Sequence, residues 1–214
     1  MRASTTHGNR LPFSRDAAYR TAVVSVILSF ALTTSVVAAN DAPLLQGTLW
    51  ESVGRGHRID PYLLYSVALV ESRRHRTSDL VSPWPWTLNS PGGPRYFDSR
   101  REAENALATM LSSHPDLSVD IGLMQINTLY HGHRVDDLQQ LLDPETNLRI
   151  GTAILREAMT SAPDRPRLGV GRYHSWTPDR AREYGARVWD IYERIRPATR
   201  YALYFQDTFD KESQ

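Results

Sequence analysis

With 214 residues, 41% hydrophobic and 23% charged, the chain has the length and composition of one well-packed globular domain, which excludes wholesale disorder and a collagen-like fibre. Its 25 Lys and Arg against 24 Asp and Glu leave no basic excess for a nucleic-acid surface, so nucleic acid is not expected as a partner. Zero cysteines exclude disulfide staples, a thiolate nucleophile and a thiolate zinc site, and stability must rest on packing.

The N-terminus reads as an export signal. Arg2, Arg10, Arg15 and Arg20 precede TAVVSVILSFALTTSVVAAN, in which an apolar segment gives way to small residues, with Val37 and Ala39 placed for cleavage before Asn40. The other reading is an uncleaved anchor, but Thr33, Thr34 and Ser35 hold the strongly apolar part below the ~20 residues of a spanning helix. Residues 1–39 are therefore expected to be removed, 40–200 to form one domain and 201–214 a tail. Membrane contact is expected only through the signal segment before cleavage, and the exported chain is nearly neutral.

Past the signal the pattern is helical with one interruption. DAPLLQGTLWESVG places Leu45, Leu49, Trp50 and Val53 on one stripe, ended by Gly54 and Gly56. DPYLLYSVALVES opens a second helix with Asp60 as N-cap and Pro61 at the first helical position, where a missing N–H costs nothing. On this helix Leu64, Val67, Ala68 and Glu71 fall at i, i+3, i+4 and i+7, so the face that should point inward ends in a carboxylate. An ionised carboxylate taken from water is costly, and the usual response is an upward pKa shift. The bland reading is a solvated ion pair of Glu71 with Arg74 or His75.

Between residues 80 and 98 the helical period fails, and Trp86, Leu88, Tyr96 and Phe97 around a Pro-Gly-Gly-Pro turn predict a short β-hairpin or ordered loop. Ser99 and Glu102 then form a capping-box pair before Ala103, Leu107, Met110 and Leu111, which explains Glu102 as a cap. VDIGLMQIN, residues 119–127, sets Gly122, Gln125 and Asn127 among apolar residues. The primary amides suit the acetamido and hydroxyl groups of amino sugars, and Gly122 removes bulk where a ligand approaches; equally, the amides could only tie down the loop.

His131 and His133 in YHGHR have no evident set of further ligands, so no metal is expected. Asp143 and Pro144 repeat the cap-then-proline start, and Gly151 on the stripe Leu148, Ile154, Leu155, Ala158 predicts a crossing of two helices. In GVGRYHSW, Tyr173 offers a phenol that could bond a buried carboxylic acid and His174 a group that donates or accepts, although a core Tyr and a surface His would also satisfy the pattern. A last helix from about Pro178 carries Tyr184, Val188, Ile191 and Tyr192 on its apolar face, with Pro197 beyond its end.

Taken in order, Glu71-Ser72 at the end of a proline-initiated helix, GLMQIN, DPETNLRIGTAIL and a Tyr-centred segment resemble the catalytic domain of the soluble lytic transglycosylases, relatives of goose-type lysozyme, over roughly residues 44–195. The resemblance implies a mostly α, lysozyme-like (α+β) single domain with a groove, peptidoglycan glycan strands as substrate, and no cofactor. It implies that Glu71 is the single catalytic acid, Ser72 its neighbour, Met124 and Gln125 the substrate-contacting pair, and Tyr173 the tyrosine that supports the acid. Gly122 and Asn127 join this set as substrate-binding candidates. His174 stands where many members carry Asn. Trp84 and Trp86 are candidate sugar-stacking residues at the groove edge, or else packing anchors. PWPWTLN and YFDSRREA further resemble transglycosylases encoded with conjugative and type IV secretion or pilus systems, which implies a periplasmic location and machinery proteins as partners.

The implied chemistry explains Glu71. Cleaving the bond between N-acetylmuramic acid and N-acetylglucosamine needs a proton on the leaving oxygen, which a carboxyl raised toward neutrality can supply. Two rivals stand beside it. A hydrolase of the same fold would need a second carboxylate, with Asp120 nearest to hand and Asp79 and Asp98 less easily placed. A peptidoglycan-binding assembly component without activity is the other, and an intact Glu71 argues against it.

Overall fold

The protein is described by a computed structural model for residues 44–75 and 81–196; the expected signal segment, Asp79, Pro197 and the tail lie outside the described residues. Thr48 caps helix α1 (Leu49–Gly56), its side chain accepting from the Glu51 N–H. Gly54, expected to end this helix, lies within it. Asp60 caps α2 (Pro61–Ser72): Oδ1 accepts from the Tyr62 N–H at 2.8 Å, while Oδ2 accepts from the Tyr192 hydroxyl at 3.0 Å. One inward face understates this helix. Tyr62, Leu63, Leu64, Val67 and Ala68 are all at most 1% exposed, so α2 is core on nearly every side.

After α2 the chain forms β1 (Arg73–His75), which pairs antiparallel with β2 (Val81–Pro83). The expected hairpin is present as β3 (Thr87–Ser90) and β4 (Gly93–Tyr96), with Ser90 opposite Gly93 across Pro91 and Gly92. Two very short strands, β5 (Asp120–Ile121) and β6 (Ile126–Asn127), extend the other edge of β3, giving the antiparallel order β4-β3-β5-β6. The segment GLMQ is therefore the connection between β5 and β6.

Helix α3 (Arg100–Ser113) starts on Ser99 as predicted, and Glu102 reaches back to the Asp98 N–H. α4 (Thr128–His131) and two 3-10 turns lead to α5 (Pro144–Thr160), capped by Asp143, which accepts from the Thr146 N–H at 2.9 Å. At Gly151, where a helix crossing was expected, the close neighbour is a side chain: a Cβ there would stand 2.5 Å from Met124 Cβ, so the glycine makes room for a methionine. The backbone-to-backbone approach occurs instead between α6 (Pro166–His174) and α7 (Pro178–Ile195), where Cβ atoms on Gly171 and Gly185 would collide with the carbonyls of Ala181 and Arg167. The buried face of α7 is Ala181, Tyr184, Gly185, Val188, Trp189 and Tyr192, while Ile191, expected on it, is half-buried at its edge. This face covers α2, and the fold is mostly helical with a small antiparallel sheet, as expected.

Candidate active site

The β5–β6 connection is held from four directions. Gly122 has φ +81° and Gln125 φ +46°, both left-handed. Buried Asn147 on α5 donates through Nδ2 to the carbonyls of Ile121 and Leu141, each at 2.8 Å, and accepts the Met124 N–H at 2.8 Å. Ser72 Oγ donates to the Leu123 carbonyl at 2.8 Å from the end of α2. The Tyr173 hydroxyl donates to the Met124 carbonyl at 2.6 Å from α6. Gln125 Nε2 donates to the carbonyls of Gly122 at 2.9 Å and Thr87 at 3.3 Å, tying the loop to itself and to β3.

These bonds give several of the residues expected at the substrate a role inside the protein. Ser72 and Met124 are completely buried and cannot face a glycan. Gly122 is required by the protein itself, because a Cβ would collide with Asn147 and stand 2.8 Å from the Leu141 carbonyl. Both amides bond within the protein, as the loop-anchoring reading expects. Asn127 donates to Asp120 Oδ1 and Ser118 Oγ, each at 2.8 Å, and accepts from the N–H groups of Leu129 and Tyr130, capping α4. Trp84 and Trp86 meet edge to face at 5.6 Å; the Arg74 guanidinium lies 4.6 Å over Trp84, whose Nε1 donates to the Phe97 carbonyl. Both rings are half-buried and packed against their neighbours. Arg74 also pairs with exposed Asp98 at 2.8 Å, while the hydrogen bond to Glu71 comes from Tyr184.

Glu71 stands at the end of α2 with part of its surface exposed, yet its carboxyl is closely surrounded, and that desolvation raises its pKa to about 7. The Tyr184 hydroxyl donates to Oε1 at 2.5 Å and pulls the other way, Asp120 raises the pKa further and Arg187 lowers it. Tyr184 is 1% exposed, and burial together with the Glu71 charge pushes its phenol well above the ordinary range, so it remains a donor. Tyr173, expected to support the acid, lies near enough for the Glu71 charge to act on it, but its hydroxyl is given to Met124. Asp120 is held by Asn89 and Asn127, one on each oxygen. His174 stacks on Tyr184 with ring centroids 4.8 Å apart and planes 5° from parallel; burial and the cations of Arg187 and Arg180 lower its pKa, against Asp120.

Sequence reading missed Tyr184, Arg187 and Asn147. Tyr184 looked like one more apolar residue of α7, and only the need of a buried phenol for a partner could have singled it out. Asn147 sits beside Leu148 and Gly151 on the buried stripe of α5, where a polar residue signals a fixed partner. A separate groove of about 570 Å³, lined by Arg165, Arg167, Arg182, Trp189 and Glu193, shares no lining residue with the Glu71 cluster.

A shielded glutamate at the end of a buried helix, near Asp120 of a small antiparallel sheet, fits a lysozyme-like glycan-cleaving domain. The family model described as the transglycosylase SLT domain matches residues 48–178, more than half of the chain, and the protein belongs to that family. Comparison with curated proteins and with solved structures gave no match. As the family consists of lytic transglycosylases acting on peptidoglycan, the protein is an enzyme of that class acting on peptidoglycan.

Proposed function

We propose that Glu71 is the single general acid and base for cleavage of the bond between N-acetylmuramic acid and N-acetylglucosamine, with a 1,6-anhydromuramic product. The observation that carries this reading is a shielded carboxyl with a pKa of about 7 whose Oε1 already accepts a phenolic hydrogen. At pH 7 an ordinary carboxyl is ionised, whereas this one keeps its proton in roughly half of the molecules. With Oε1 engaged by Tyr184, the acidic proton belongs on Oε2.

In the first step that proton passes to the glycosidic oxygen as the bond to C1 of the muramic ring breaks, and the substrate's acetamide supports the developing cation. Glu71, now ionised, takes the proton from the primary hydroxyl, whose oxygen bonds to C1. The proton returns to the carboxyl and the ring is closed. Tyr184 steadies the carboxylate between the steps, and Arg187 offsets its charge.

Asp120 acts on the charge of Glu71, so a water-using route with Asp120 as base is the alternative that products must separate. Purified peptidoglycan incubated with the enzyme should release anhydro-muropeptides by mass, and Glu71→Gln should release none while remaining folded. Products carrying an added water would favour the Asp120 route. Turnover by Glu71→Gln would end the assignment.

The biological role we propose is local opening of the wall for a secretion or conjugation system, in the periplasm after cleavage before Asn40. Its support is the likeness of PWPWTLN and YFDSRREA, which run from β2 into β3 and from β4 into α3. In a strain carrying such a system, wild type but not Glu71→Gln should restore transfer after deletion, and the periplasmic protein should begin at Asn40.

A further inference from the structure

We infer that His174 is a positioning residue for the reaction, acting through Tyr184: its imidazole, lying flat on the phenol ring, holds the plane of that ring and so aims the hydroxyl at Glu71. The inference rests on Glu71 being the acid.

The O–H bond of a phenol prefers the plane of its ring, because the oxygen lone pair conjugates with the π system. Whatever holds the ring plane therefore sets the direction in which the proton points. At Tyr184 that proton points to Glu71 Oε1 over 2.5 Å, and the group lying parallel to the ring is His174, at 4.8 Å and 5°. The contact is built into the helices. Gly171, one turn before His174, and Gly185, next to Tyr184, are the positions where α6 and α7 touch backbone to backbone, and this approach brings the two rings within stacking distance.

The surroundings suit a neutral ring. Arg187 and Arg180 on α7 face the imidazole and disfavour its protonation, while Asp120 on β5 favours it. Arg187 also lies 5.6 Å from the Tyr184 ring centroid. A further cation on His174 would stand beside Glu71 and favour its ionised form, removing the proton that the reaction needs. A neutral stacked ring fixes the tyrosine without that penalty. In this proposal exposed His174 acts on the reaction through Tyr184, where the sequence led to the expectation of a substrate contact.

The test uses the exported chain with His174→Ala, which removes the stack, and His174→Phe, which keeps a flat ring but cannot titrate or bond a sugar. His174→Ala should lower kcat by ~10-fold with KM changed less than about two-fold, since it weakens a hydrogen bond at the acid and not substrate binding. His174→Phe should recover kcat to within about three-fold of wild type. Carbon-13 NMR of the Glu71 carboxyl should report a higher pKa in His174→Ala and a value near wild type in His174→Phe, because losing an aimed donor raises a carboxyl pKa. A rise in KM at unchanged kcat, a His174→Phe enzyme as slow as His174→Ala, or two variants equal to wild type would each overturn the inference. Glu71→Gln run alongside separates the two readings. If it is active, the assignment of the acid fails; if it is inactive while His174→Ala is normal, only the role of His174 fails.

Discussion

Glu71 is a carboxyl whose folded-state pKa, about 7, stands above its ordinary 4.5, and this has a consequence for stability. Between those values the folded chain holds a proton that the unfolded chain has released, so stability falls as pH rises from about 4.5 through 7 and stays lower above. Glu71→Gln removes that cost. Because Glu71 is partly exposed, the expected gain is about 1–2 kcal/mol at pH 8, vanishing below about pH 4.5, as urea unfolding at the two pH values will measure. A variant less stable than wild type at pH 8 would contradict the shielded-acid description. Tyr184 pulls the same pKa down, so Tyr184→Phe should move the alkaline limb of the pH–rate profile upward while lowering turnover by ~10-fold or more. Unchanged turnover and an unchanged limb would mean that the hydrogen bond is idle. The inward direction of Glu71 was legible from the spacing of Leu64, Val67 and Ala68. Its partner was not, because a tyrosine on an apolar helix face looks the same whether or not its hydroxyl is used.

At the scale of the element, the four-residue turn between β5 and β6 decides where the site forms. Residue types in GLMQIN announced something unusual, but the polar atoms face the protein: Gln125 ties Gly122 to Thr87, and Asn147 reaches in from α5. Gln125→Ala should therefore lose stability and turnover together, by about 1–2 kcal/mol in unfolding free energy, rather than turnover alone. Thermal unfolding beside activity will check this, and an activity loss with an unchanged Tm would restore the substrate-contact reading. Gly122→Ala should be worse, about 2–4 kcal/mol, since it adds a left-handed backbone penalty to a collision with buried Asn147. Capping, by contrast, was readable residue by residue. Asp60, Ser99 and Asp143 all cap where the sequence placed them, because a cap answers to N–H groups only two or three residues away.

At the scale of the whole molecule, the site is closed by a helix outside the residues that define the family match. The match ends at residue 178, whereas Tyr184 and Arg187 at the acid and Val188 and Tyr192 in the core all come from α7. A chain ended after Pro178 should lose both the cover of α2 and the partner of Glu71. Circular dichroism should show it unfolded or molten, and a cooperatively melting fragment of native helix content would show that α7 serves the site alone.

What the sequence by itself determined were the caps, the hairpin, the order of motifs and the inward carboxylate, since each depends on neighbours within a few residues or on a spacing. The tertiary structure alone decided which hydroxyl meets Glu71, why Gly122 must be glycine, and that Ser72 and Met124 are buried behind the site. The physical reason is range. The Tyr184–Glu71 bond spans 113 positions of chain and the Asn147–Met124 bond 23, and such partners are chosen by how whole helices pack, which no local pattern encodes.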